Sequence, residues 1–260
     1  MRFFLFLSAV ALTAQERPSA LKSVAFEQRL NEQAPLDLTF RDETGREVRL
    51  GEFFGSKPVV LAPVYYECPM LCTQILNGLV SSLRPVSFDP GKEFDVIAVS
   101  FDPRETPSLA SAKKAGYMKR FQRPGTEAGF HFLTGNEASI KALMDSIGFR
   151  YAWDEKTQQF AHASGIVVLT PQGRISHYFY GIEYPSRDLR LGLVEASQNK
   201  IGSAVDQILL FCYHYDPATG TYGAMVMNMV RLAALATLLA LGGFLLIMFR
   251  RDARGRVAQH

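Results

Sequence analysis

From Pro58 to Tyr66 the chain reads Pro-Val-Val-Leu-Ala-Pro-Val-Tyr-Tyr, an uncharged run rich in β-branched and aromatic residues. A strand that is apolar on both faces must be covered on both faces, so the run belongs at the centre of a sheet flanked by helices. It passes directly into Glu67-Cys-Pro-Met-Leu-Cys72. Thr73 to Leu83 follow, with Ile75, Leu76, Leu79, Val80 and Leu83 at helical spacing. A buried strand that turns into a helix through two cysteines is the unit around which the rest must be arranged.

The flanking sequence extends that unit. Leu36–Phe40 and Arg46–Leu50 predict a hairpin about the turn Arg41-Asp-Glu-Thr-Gly45. Phe94–Phe101 predicts a second buried strand. Thr106-Pro-Ser starts a helix that runs to about Phe121. Phe130–Leu133 reads as a short strand, and Asn136 as the cap of a helix through Ile147 that ends at Gly148. Gly165–Leu169 and Ile175–Tyr180 read as strands joined by Thr-Pro-Gln-Gly, and Ser186–Gln198 as a last helix. This order predicts an α/β fold with a mixed β-sheet flanked by helices, and the closing hairpin and helix match a thioredoxin-like arrangement. The domain is expected over 34–200, after an irregular polar tether at 20–33.

Both ends are apolar. Arg2 precedes Phe3–Leu12 and a polar stretch, the layout of a secretory signal peptide over 1–19. Leu232–Phe249 is 18 residues without a charge, roughly 27 Å as a helix and close to hydrocarbon thickness. It predicts a C-terminal transmembrane helix over 224–249, behind a juxtamembrane linker at 201–223. Arg250, Arg251, Arg254 and Arg256 follow, which places the tail 250–260 in the cytoplasm and the domain on the outer, periplasmic side. The net charge of +3, with no basic run in the central region, argues against nucleic acid as a partner.

Three cysteines are too few for a disulfide scaffold, and a pair four residues apart in an oxidising compartment points to redox or metal chemistry. A helix start stabilises thiolates, so both Cys68 and Cys72 are expected to ionise easily. Residues i and i+4 share a helix face, so the two sulfurs can clamp a metal or form a disulfide. Soft thiolates suit reduced copper, zinc or iron–sulfur chemistry. A third ligand is then needed. His260 is on the wrong side of the membrane, His177 lies inside a strand, and His131 is remote from the cysteine turn. His162 stands between the polar loop 154–159 and the strand at Gly165, beside the cysteine turn in a thioredoxin-like fold. By position it is either a ligand or a surface histidine. Cys212-x-His214, with Met225, Met227 and Met229, offers further soft donors or a juxtamembrane packing segment. Met70 and Trp153 read as packing residues.

Tyr-Tyr-Glu-Cys-Pro-Met-Leu-Cys72, Ser100-Phe-Asp-Pro-Arg-Glu-Thr-Pro107, His162 before a Gly/apolar strand, and Pro171-Gln-Gly-Arg together resemble the Sco/SenC family over about residues 30–200. The resemblance implies a thioredoxin-like fold binding Cu(I) or Cu(II) through Cys68, Cys72 and His162. It also implies a role in maturing the binuclear copper centre of cytochrome c oxidase subunit II. Asp102 matches an acidic residue near the copper, where it would tune the centre from outside the ligand set. Two departures stand out: the anchor is C-terminal, and Ala161 occupies the place of an Asp. The leading function is therefore a membrane-anchored copper metallochaperone, dependent on a copper donor and a thiol reductant. The rival is a thiol–disulfide oxidoreductase acting on the acceptor's cysteines through Cys68 and Cys72. A third reading is a peroxide-reducing or redox-sensing protein on the same fold; a peroxidase would need a cysteine activated by a nearby Arg and hydroxyl, and the sequence offers no compelling arrangement of them.

Overall fold

The computed structural model describes residues 23–68, 71–201, 215–216, 221–222, 231–245 and 248. The strands are β1 (Ala25–Phe26), β2 (Thr39–Arg41), β3 (Glu47–Arg49), β4 (Val59–Val64), β5 (Asp95–Ser100), β6 (Phe130–Leu133), β7 (Phe149–Asp154), β8 (Gln159–His162), β9 (Gly165–Leu169) and β10 (Ile175–Tyr180). A separate short pair is β11 (Tyr215–Asp216) and β12 (Thr221–Tyr222). The helices are α1 (Leu71–Leu83), α2 (Pro107–Phe121), α3 (Glu137–Ser146) and α4 (Ser186–Ser197).

The main sheet has the order β10-β9-β4-β5-β6. β4, β5 and β6 are parallel, while β9 runs antiparallel to β4 and β10 antiparallel to β9. Every residue of β4, β5 and β9 is buried. That burial is why these segments carry no alternation, and each large aliphatic side chain so covered contributes about 1.5–3 kcal/mol. The parallel pairs need crossovers, and α1 and α2 supply them. α1 packs on β4 beside α2 and α4, while α3 packs on β7.

Local chemistry ends the helices where the sequence predicts. Thr106 accepts the Leu109 N–H at the start of α2, with Pro107 in its first turn, and Gln122 leaves it in the left-handed region. Asn136 accepts the Ser139 N–H at the start of α3. The predicted hairpin forms as β2–β3, its turn tied by Asp42, whose Oδ1 accepts the backbone N–H groups of Thr44 and Arg46. His177 has a structural role: its Nε2 meets Glu195 Oε2 at 2.8 Å and its Nδ1 meets Ser176 Oγ at 2.7 Å, joining β10 to α4.

Three expectations need correction or completion. The segment read as a tether is part of the domain from Val24: Phe26 is buried, β1 pairs with β7, and Gln33 bridges to Arg174. The polar loop at 154–159 is the tip of the β7–β8 hairpin, so His162 ends a strand rather than a loop. Among the described residues no helix is long and apolar enough to cross a membrane. Residues 231–245 are helical with Leu235, Leu238 and Leu239 exposed. The remainder of the span expected at 224–249, apart from Met248, lies outside the described residues. So do the expected signal peptide, Cys212, His214, Met225, Met227, Met229 and the basic tail.

The crossing of α1 with the loop after β10 depends on Gly78, where a Cβ would lie 1.8 Å from the Ile182 carbonyl oxygen. Gly78→Ala must push that loop off α1, at a cost of at least about 2 kcal/mol. Thermal unfolding followed by circular dichroism is expected to show a midpoint lowered by roughly 4–8 °C.

Candidate metal centre

β4 ends at Val64, and the four residues that follow carry the chain out of the sheet to Cys68. The turn is closed by the Cys68 N–H, which donates to the Tyr65 carbonyl, and by Thr73 Oγ1, which donates to the Cys68 carbonyl. Cys72 sits in the first turn of α1, where backbone N–H groups lack helical acceptors. Its own N–H donates to Cys68 Sγ at 3.3 Å, and the Tyr65 N–H donates to Cys72 Sγ at 3.3 Å. Both cysteines are free thiols and both are buried.

The third member arrives from the other sheet. In the β7–β8 hairpin Tyr151 lies opposite His162 and Trp153 opposite Phe160, so these four side chains share one face. That face packs over the cysteine turn. The His162 ring lies 5.1 Å from the Phe101 ring and 5.9 Å from that of Tyr65, centre to centre. Its Nε2 is 3.2 Å from Cys72 Sγ, and its Nδ1 is 2.7 Å from the Ala163 carbonyl oxygen. A carbonyl oxygen can only accept, so Nδ1 carries a proton, and Nε2 is the nitrogen turned toward the sulfurs. Cys68 Sγ, Cys72 Sγ and His162 nitrogen all lie within 4.8 Å of one another.

The two sulfurs differ. Cys68 is pulled down to about 3, chiefly by the hydrogen bond from the Cys72 side chain and further by His162, the Cys72 N–H and the Tyr65 hydroxyl. Cys72 is pushed far up, first by burial and then by Cys68 beside it. The expectation that both thiols ionise easily is thus corrected. Two sulfurs in contact inside a protein cannot both take a charge without a cation between them, and the site settles on one thiolate and one thiol. Burial and the adjacent Cys68 also push the Tyr65 phenol up, so it stays a hydrogen-bond donor.

Asp102 is close to the centre in the chain but does not reach it. Its carboxylate is taken up by Arg104, through the backbone N–H at 3.0 Å and through Nε and Nη2 at 2.8 and 2.6 Å. Arg104 in turn lies 4.6 Å above the Trp153 ring and 5.5 Å from that of Phe160. Asp102 therefore acts on the hairpin that carries His162. His131 is far from the cysteines, beside Ile97 in the register and packed on Phe53.

Residue-type reasoning passed over Tyr65 and Glu105. Glu105 is buried, and its carboxylate accepts the N–H groups of Tyr66 and Glu67 at 2.8 and 2.7 Å and the Ser100 hydroxyl. Burial pushes its carboxyl up, and those three donors pull it back. The signal for it was available, since it lies in the same Phe-Asp-Pro-Arg-Glu-Thr motif that singled out Asp102.

A family model described as SCO1/SenC matches residues 27–190, more than half of the chain. The chain belongs to the SCO1/SenC family. The match begins within the segment read as a tether, in agreement with the packing of Phe26. Among solved structures, a candidate electron transfer protein from Aquifex aeolicus is 29% identical, with a TM-score of 0.57, and the alignment covers 65% of this chain and 95% of that one. A SCO1/SenC family lipoprotein from Bacillus anthracis is 17% identical, with a TM-score of 0.54, over 66% of this chain and 99% of its own. Arabidopsis thaliana ScoI, solved with copper bound, is 19% identical, with a TM-score of 0.50, over 62% and 96%. At those identities the latter two speak to the fold alone. No curated protein matches the chain.

The asymmetry of the sulfurs has a measurable consequence. From the ordinary thiol range down to about 3 the folded form binds one proton fewer than the unfolded chain at Cys68. Its contribution to stability is complete above the ordinary thiol range and is lost as pH falls toward that value. Ultraviolet thiolate absorbance of the reduced, metal-free protein is expected to report one thiolate at neutral pH that persists into acid. In Cys72→Ala the leading donor is gone, and the same absorbance should vanish at a distinctly higher pH. Two thiols titrating together in the ordinary range would contradict this picture.

Proposed function

We propose that this protein is a copper metallochaperone, anchored in the membrane and facing outward. It would hold copper on Cys68, Cys72 and His162 and pass it to the binuclear site of cytochrome c oxidase subunit II. The observation that carries the reading is the convergence of two soft sulfurs and an imidazole nitrogen within 4.8 Å, with the Ala163 carbonyl holding Nδ1 so that Nε2 faces the sulfurs. Two sulfurs and one nitrogen suit copper by softness, and membership of the SCO1/SenC family supports the same cargo. Three donors leave a coordination position open, which is what a carrier needs if incoming cysteines are to displace its own ligands one at a time.

The anchor is part of this reading. The charge-free run from Leu232 to Phe249 and the four arginines after it support an outward-facing domain on a C-terminal span. The polar-flanked apolar start supports a signal peptide. The acceptor and the donor would then meet the domain outside the membrane, where a reductant must keep Cys68 and Cys72 as free thiols.

Protonation makes copper uptake pH-dependent. Cys68 is already a thiolate whereas Cys72 is held as a thiol, so loading must remove the proton from Cys72. Calorimetry in buffers of different ionisation enthalpy is expected to find about one proton released per copper, and affinity that falls as pH is lowered.

A second reading is favoured by one observation, a stable thiolate held against a protonated thiol. That is also the electronic arrangement of a dithiol reductant for the acceptor's cysteines. One experiment separates the two. The full chain, purified in detergent and reduced, is expected to bind one copper with sulfur-to-Cu(II) charge-transfer absorption. Cys68→Ala, Cys72→Ala and His162→Ala should each abolish it, while His162→Ala should leave disulfide exchange largely intact. Disulfide cycling with no stable copper complex would sink the chaperone reading.

A further inference from the structure

The turn that carries Cys68 has a supply problem. β4 ends at Val64, so the N–H groups of Tyr66 and Glu67 leave the sheet with no strand beside them. Tyr66 is almost wholly buried, its hydroxyl proton shared between the carbonyls of Ala98, within β5, and Leu133, at the end of β6. A buried N–H must be satisfied. Glu105, on the loop between β5 and α2, does this from a different part of the chain: Oε2 takes the Tyr66 N–H and the Ser100 hydroxyl, and Oε1 takes the Glu67 N–H.

We propose that Glu105 is a positioning residue for the centre, its two carboxylate oxygens clamping the Tyr65–Cys68 turn so that Cys68 stays in register with Cys72 and His162. The chemistry of the three donors requires a carboxylate. Glutamine has one oxygen, and its amide nitrogen would face an N–H or hydroxyl that needs an acceptor. Aspartate would bring its carboxylate one methylene less far toward the turn. The clamp acts on the two residues immediately before Cys68. Cys68 Sγ in turn depends on its place to accept the Cys72 N–H at 3.3 Å. Release of Tyr66 and Glu67 therefore moves a ligand without touching it. The same carboxylate ties the β5–α2 loop to the cysteine turn, so the motif Ser-Phe-Asp-Pro-Arg-Glu-Thr serves the centre through two acids. Asp102 holds Arg104 against the hairpin, and Glu105 holds the turn.

The proposal rests on the copper reading for its role in metal binding, but the clamp itself is a property of the metal-free protein. The test uses the full chain in detergent and compares Glu105→Gln with Asp95→Asn. Asp95 is a buried carboxylate at the opposite end of β5, paired with Lys57, and its loss destabilises the fold without touching the centre. Two readouts are taken: copper affinity with the charge-transfer spectrum, and the Cys68–Cys72 dithiol/disulfide equilibrium of metal-free protein in a glutathione buffer. Glu105→Gln is expected to weaken copper binding about tenfold or more and to shift the charge-transfer band. It should also move the equilibrium toward the dithiol, because a loosened turn lowers the effective concentration of one sulfur at the other. Asp95→Asn, at an equal or larger loss of melting temperature, should change neither. If Glu105→Gln does not fold, Ser100→Ala, which removes only one of the three donors, decides with a smaller change in the same direction. Wild-type affinity, spectrum and equilibrium in Glu105→Gln, or in Ser100→Ala where that variant decides, would overturn the proposal. Equal effects from Asp95→Asn would do the same. A wild-type chain that binds no copper would refute the chaperone reading alone, and the equilibrium measurement would still judge the clamp.

Discussion

Two sulfur atoms held in contact inside a protein compete for one negative charge, and the architecture around Cys68 and Cys72 is arranged by that competition. Cys68 collects the donors: the Cys72 N–H at the start of α1, the Tyr65 hydroxyl and the Cys72 side chain. Cys72, more deeply buried, keeps its proton and donates it to Cys68, while His162 Nε2 stands 3.2 Å from its sulfur. A cation placed among the three would remove the conflict by letting both sulfurs ionise, so the metal-free site is electrostatically incomplete in a way that a soft cation corrects. Neither a structural disulfide nor a buried pair of ordinary thiols would need the imidazole held in a single tautomer.

The centre is assembled from parts that belong to different layers. β4 and α1 present the sulfurs, the β7–β8 hairpin presents the imidazole, and the β5–α2 loop supplies the two acids that steady both. The hairpin is secured by aromatic packing more than by sheet extension. Phe101, Tyr65 and Phe149 lie around the His162 ring, Tyr151 and Phe160 pack on Phe101, and Arg104 lies over Trp153 and Phe160. Such rings exclude water from one side of the sulfurs, which strengthens the hydrogen bonds there and makes an unpaired charge costly. Loosening the hairpin would therefore alter both the position of His162 and the polarity seen by the cysteines.

Much of the fold was legible because its signals are local or periodic. The uninterrupted apolarity of β4 and β5, the Thr106-Pro107 start of α2, the Asn136 cap of α3 and the turn at Asp42 each follow from residues within a few positions of one another. β1 and the β7–β8 hairpin were harder to read. β1 is two residues long and exists only because β7 offers it an edge. β7 carries Phe149, Tyr151 and Trp153 at period two, a strand signal, but its polar tip at 155–158 and half-exposed faces read equally well as a loop. The site was legible in the same measure: the residue types of Cys68, Cys72 and His162 announce soft-metal chemistry, whereas the assignments of Asp102 and Glu105 turn on which buried donors surround each carboxylate.

By itself the sequence determined that a buried strand must hand over to a helix through two cysteines, because apolarity, helical spacing and the Cys-x-x-x-Cys interval are properties of neighbouring residues. It determined also that a soft donor set was available. Only the tertiary structure decided which histidine closes the set, which sulfur carries the charge and which acid holds the turn. His162 lies ninety positions beyond Cys72 and meets it through the pairing of β7 with β8. The charge on Cys68 depends on donors that converge from a strand end, a helix start and a hairpin. Contacts of that range, and the desolvation that gives them their strength, come into being only when the layers pack.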